Sequence, residues 1–79
     1  MTFAFVLLNC HFPFDTRILE KISLMPYVKD VYRTEGRYDL ILKINAESEE
    51  KLRDLISTGI NKLPGVDATI HLIVARKYE

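Results

Sequence analysis

Gly36-Arg37-Tyr38-Asp39 is the stretch of this chain best suited to chemistry on a small ligand. A glycine at a turn frees backbone groups for close approach, and a carboxylate just inside a strand rich in Leu and Ile is a fixed anion on an apolar element. A zwitterion needs such a pair, one anion for its ammonium and one cluster of N–H donors for its carboxylate. Asp39 supplies the first and the turn at Gly36 the second, which makes Gly36, Arg37, Tyr38 and Asp39 candidate ligand-binding residues. The competing reading is a plain hairpin turn whose carboxylate is solvated or caps backbone donors.

Thr34, Thr69 and His71 are polar residues on strands that otherwise bury apolar side chains. Thr69 and His71 share a face of the last strand, so they either line the same depression as the turn, or that of a neighbouring subunit, or are satisfied β-face residues. Cys10-His11 is not a ligand-pair spacing, and the only other histidine is His71, so no metal site is expected. Cys10 has no recognisable His-Asp arrangement to make it a nucleophile. No phosphate-binding glycine loop, nucleotide motif or hydrolase elbow occurs, so no catalytic residue and no cofactor are expected.

The elements that must position these groups follow from periodicity. Residues 2–9 are β-branched and aromatic, which predicts a strand. From Asp15 or Thr16, good N-caps, Ile18, Leu19, Ile22 and Met25 share a helical face until Pro26. Residues 28–35 and 38–45 read as strands joined by Gly36-Arg37 as a two-residue hairpin turn. Glu47, Glu49 and Glu50 load the first turn of a second helix, with Glu47–Lys51 and Glu49–Arg53 as surface pairs. Its stripe is Leu52, Leu55, Ile56, Ile60 and Leu63, ended by Pro64-Gly65, after which residues 66–75 alternate as a last strand. Ile18, Ile22, Met25, Pro26 and Val28 in one half echo Ile56, Ile60, Leu63, Pro64 and Val66 in the other. The order βαββαβ with this weak repeat predicts one domain over residues 1–79, a ferredoxin-like α+β sandwich with two helices on one face of a four-stranded antiparallel sheet.

The chain has 79 residues, 48% apolar and 28% charged, with eleven basic and eleven acidic side chains. A domain this small buries roughly 60% of its unfolded surface and gains from association. Zero net charge argues against direct nucleic-acid binding, which needs a surplus of cations. No apolar run is long enough to span a membrane, and a single cysteine fits a reducing cytoplasm. On the first strand Phe3, Phe5 and Leu7 point away from the helices, where Ile41 and Ile73 are expected to join them. Two helices cannot cover both faces of the sheet, so a second copy is expected there, pairing sheet on sheet. The alternative is a flat sheet with scattered exposed apolar residues.

Val28-x-x-Val31-Tyr32-x-x-x-Gly36-x-Tyr38-Asp39, taken together with Leu63-Pro64-Gly65-Val66, resembles the ligand-binding and oligomerisation domain of Lrp/AsnC transcription regulators, the RAM domain (regulation of amino acid metabolism). The resemblance extends over nearly the whole chain. It implies the βαββαβ sandwich, homodimers paired through their sheets, and rings of dimers such as octamers or decamers. It places an amino acid or related effector between dimers, around Gly36 to Asp39, with contacts near Thr69 and His71. It implies a non-catalytic domain, in a chain whose cysteine usage and apolar runs read as cytoplasmic and non-membrane. The family's helix-turn-helix has no counterpart in this chain, so the expectation is an effector sensor without its own DNA-binding part, co-assembling with full-length Lrp/AsnC regulators, or a piece trimmed of that part. The aromatic connection from Cys10 to Phe14 departs from the family's pattern and leaves the effector's identity open. Other readings are a small dimeric α+β barrel enzyme, for which His71 is the one plausible acid-base group, and an assembly module with no ligand.

Overall fold

The computed structural model describes residues 2–10 and 16–78. The connection at residues 11–14 and the Asp15 cap expectation lie outside them. The element order is the expected one: β1 Thr2–Cys10, α1 Arg17–Ser23, β2 Val28–Arg33, β3 Leu40–Ala46, α2 Glu49–Thr58 and β4 Val66–Ile73. The strands form one antiparallel sheet in the order β2-β3-β1-β4, so β1 and β3 lie inside and β2 and β4 are edges.

Alternation on the two inner strands builds the core. Ala4, Val6 and Leu8 of β1 and Leu40, Leu42 and Ile44 of β3 are fully buried against Ile18 and Ile22 of α1 and Leu52 and Ile56 of α2. Each such Leu or Ile contributes about 1.5–3 kcal/mol by leaving water. Ser48 caps α2, its hydroxyl accepting from Lys51 N–H at 3.1 Å, and Glu49 and Glu50 occupy the first turn. Glu47 precedes this cap, so it lies outside the helix. Glu49 does pair with Arg53 at 2.6 Å, but both side chains are more than half exposed, so the pair adds little.

The apolar stripe of α2 does not continue as α-helix to Pro64. The helix ends at Thr58, and a 3₁₀ turn Ile60–Lys62 carries Ile60 into the core. Gly59, between them, stands where a Cβ would overlap the Tyr27 hydroxyl and come 2.8 Å from the Leu55 carbonyl oxygen. Helix propensity favours alanine over glycine by up to about 1 kcal/mol. The overlap outweighs that: Gly59→Ala is expected to destabilise the fold by about 1–3 kcal/mol, read as a lower midpoint in thermal denaturation.

Cross-strand register decides what faces away from the helices. Tyr32, Ile41, Leu7 and Ile70 lie opposite one another in a row that crosses all four strands, and Phe5 stands beside Lys43 and Leu72 in the next. Tyr32 is 55% exposed, Ile70 44% and Leu72 56%, and the Lys43 ammonium lies 4.8 Å from the centroid of the Phe3 ring. One expectation is corrected here. Ile73 does not join Phe3, Phe5, Leu7 and Ile41, because it pairs with the buried Ala4 and packs on the core. The apolar alternation of β4 belongs to the face without helices, and Ile70 and Leu72 take the place given to Ile73.

Candidate functional site

Thr34 organises the loop between β2 and β3. Its N–H donates to the Asp39 carbonyl at 2.9 Å and its hydroxyl donates to the Tyr38 carbonyl at 2.6 Å. The connection is therefore residues 35–38 inside a Thr34–Asp39 closing pair, longer than the expected two-residue turn. Gly36 sits at φ +116°, yet a Cβ there would meet nothing within 4 Å. Glycine is needed at this position for backbone conformation and not for space. Gly36→Ala is expected to cost about 1–2 kcal/mol or to remodel the loop, visible as perturbed Glu35–Asp39 amide resonances with the core unchanged.

Asp39 ties three strands together. Its carbonyl receives Thr34, its N–H donates to the Leu8 carbonyl at 2.9 Å, and its Oδ2 accepts from Cys10 N–H at 2.8 Å. The backbone-capping reading of this carboxylate is therefore realised. It does not exclude the ligand reading, because a carboxylate offers about four lone-pair sites. Arg33, Thr34, Glu35 and Asp39 line a cleft of about 380 Å³ beside the loop. Two carboxylates, one guanidinium and a hydroxyl make it a polar site, suited to a small charged molecule. Burial pushes the Cys10 thiol above its ordinary range, and the Asp39 and Asp67 carboxylates add to the shift. Cys10 is thus a poor nucleophile, expected to alkylate with iodoacetamide more slowly than free cysteine at neutral pH.

The other candidates divide. Tyr38 is half-buried and Arg37 exposed in the loop, outside the lining of the cleft. Thr69 pairs with Leu8, which pairs in turn with Leu40, so it stands two strand spacings, about 10 Å, from the start of β3. Its hydroxyl donates to the Asn61 side chain at 2.7 Å. His71 pairs with Val6 and is exposed on the edge strand. Within one chain, Thr34 and Asp39 come together while Thr69 and His71 lie apart from them. Among the described residues no three His, Cys, Asp or Glu side chains converge as metal ligands. Sequence reasoning missed Arg33, Glu35 and the Cys10 amide. The first two flank Thr34 and could have been found from the hairpin boundary, whereas a backbone donor leaves no signal in residue type.

At the other end of β3, an open groove of about 660 Å³ runs between Pro26, Tyr27 and Lys29 on one side and Lys51 and Leu55 of α2 on the other. Burial raises the Tyr27 phenol above its usual range. None of the candidate ligand residues reaches this groove.

The family model of the Lrp/AsnC ligand binding domain matches residues 4–79. The chain belongs to the Lrp/AsnC ligand-binding domain family. TTHA0845 from Thermus thermophilus superposes with a TM-score of 0.90 at 34% identity, covering 100% of this chain and 99% of that one. HTH-type transcriptional regulator FL11 of Pyrococcus horikoshii is 28% identical over 76 residues, 96% of this chain and 50% of the regulator. The chain spans about half the length of the curated relatives it matches. A transcriptional regulator of Neisseria meningitidis, NMB0573, solved as a complex with L-Met, shares the fold at a TM-score of 0.87 and 15% identity, covering 99% of this chain and 52% of that one. The ferredoxin-like fold is that of Lrp/AsnC domains, and the domain type is regulatory rather than catalytic.

Proposed function

We propose that this Lrp/AsnC domain is an amino-acid-responsive assembly module, in which copies pair through their open sheet faces and a small effector binds at the Gly36–Asp39 loop. The observation that carries the reading is the pairing of a polar cleft around Asp39 with an apolar row that crosses the whole sheet. The effector's ammonium sits on Asp39, and backbone N–H groups of the loop at Gly36 receive its carboxylate. Thr34 holds that loop in shape. Thr69 and His71 reach the effector from a neighbouring subunit, because in their own chain they lie two strands away. The L-Met bound by the Neisseria regulator supports an amino acid as the ligand class. Dimers associate further into octamers or decamers, in the cytoplasm, alone or with full-length Lrp/AsnC regulators. No helix among the described residues is long and apolar enough to cross a membrane.

A thermal-shift screen with the common L-amino acids tests the ligand half. A ligand that binds only the folded state at about 100 times its Kd adds about 2.7 kcal/mol of stability, so at least one amino acid is expected to raise the midpoint by several degrees. A midpoint that no amino acid moves would refute the effector role.

A further inference from the structure

The Cys10 amide touches both the candidate site and the edge of the sheet. Its N–H donates to Asp39 Oδ2 at 2.8 Å, and at this residue the β1–β4 register slips: Asn9 faces Ala68 but Cys10 faces Val66, so Asp67 is skipped. A few residues along β4 from this irregularity, Ile70 and Leu72 project onto the open face opposite Leu7 and Phe5. Cys10 itself is half-buried among these elements.

We infer that Cys10, through its backbone N–H, is the positioning group that couples ammonium binding at Asp39 to the β1–β4 edge, and through it to the apolar face. This rests on the effector reading of the loop. A ligand ammonium on the Asp39 carboxylate draws negative charge away from Oδ2, so the Cys10 bond weakens as the ligand binds even though the carboxylate has lone pairs for both. The slip in register is where that change passes into β4, since a bulge already leaves one residue out of the ladder. Val66 and the strand that follows it then shift relative to Leu7, adjusting how Ile70 and Leu72 meet a second copy without separating the pair.

Amide NMR and hydrogen exchange on the intact chain test this. Without any amino acid, Asp39→Ala is expected to speed Cys10 amide exchange roughly tenfold or more, with the core amide of Leu42 as reference. Asp39→Asn keeps an acceptor oxygen and is expected to preserve Cys10 protection. In the wild type, whichever L-amino acid stabilises the protein is expected to move the Cys10 amide proton upfield and speed its exchange together with that of Val66. The matching carboxylic acid without the amino group, and the amino acid added to Asp39→Asn, are expected to do neither. Amino-acid binding that leaves the Cys10 and Val66 amides unmoved overturns the coupling alone. Unchanged Cys10 exchange in Asp39→Ala overturns it as well. Failure of every amino acid to stabilise the wild type removes the effector reading and the coupling with it.

Discussion

Leu7→Glu is expected to dissolve the assembly into single chains of 9.2 kDa while leaving the fold intact. Leu7 stands in the row Tyr32–Ile41–Leu7–Ile70, on the face away from the helices, so the core of Val6, Leu8 and Leu42 does not sense the change. In a sheet-on-sheet pair the new carboxylate loses water without gaining a partner, which costs several kcal/mol. At about 1.4 kcal/mol per tenfold, a loss near 4 kcal/mol weakens association by about 1,000-fold. Light scattering after size exclusion reads the mass, and far-UV circular dichroism reads the fold. Leu24→Glu is the control. Leu24 follows α1 and is 83% exposed, so a charge there is expected to change neither. If Leu7→Glu keeps the wild-type mass, copies associate through some other surface.

Asp39→Ala is expected to abolish the amino-acid-dependent thermal shift while the assembly keeps its size. Removing one partner of a desolvated, charge-assisted hydrogen bond costs about 2–5 kcal/mol of binding, a loss of at least about 30-fold. The apolar row lacks Asp39, so pairing of the sheets is not touched directly. The variant also loses the acceptor for Cys10 N–H and is expected to be less stable by about 1–3 kcal/mol even without ligand. Asp39→Asn separates the two roles: it keeps the structural acceptor and loses the charge, so it is expected to recover most of the stability but not the amino-acid response. A thermal shift that survives in both variants places the effector elsewhere, and the larger groove beside Tyr27 is then the first place to look.

Much of this architecture is legible in the chain because its inner elements obey one period each. Ala4, Val6 and Leu8 alternate cleanly, as do Leu40, Leu42 and Ile44, and Ile18 and Ile22 repeat on a helical face, so the core follows from spacing. The edge strand β4 is harder. Its apolar alternation looks like a core-facing pattern, yet Thr69 and His71 occupy the helix side and Ile70 and Leu72 the open side. Periodicity gives two faces but does not say which one a neighbour covers, and the slip at Cys10 changes the parity besides. Ile73 falls on the face opposite to the expected one because it lies in the unbroken part of the register, paired with the buried Ala4.

The site shows the same division. Gly36 and Asp39 are visible as residue types, and the positive φ at Gly36 is what a glycine in a turn implies. The loop is longer than its turn residues suggest, because Thr34 closes it with a backbone and a hydroxyl hydrogen bond that no turn dipeptide announces. The Cys10 amide is invisible for a deeper reason: it acts through the backbone, and any residue but proline could supply it.

The most direct test of an amino-acid-responsive assembly is native mass spectrometry of freshly purified protein, which reports assembly size and retained small molecules together. Even multiples of 9.2 kDa are expected, carrying added mass that denaturation releases as an amino acid. A monomer at 9.2 kDa that carries nothing and does not change when amino acids are added would contradict it.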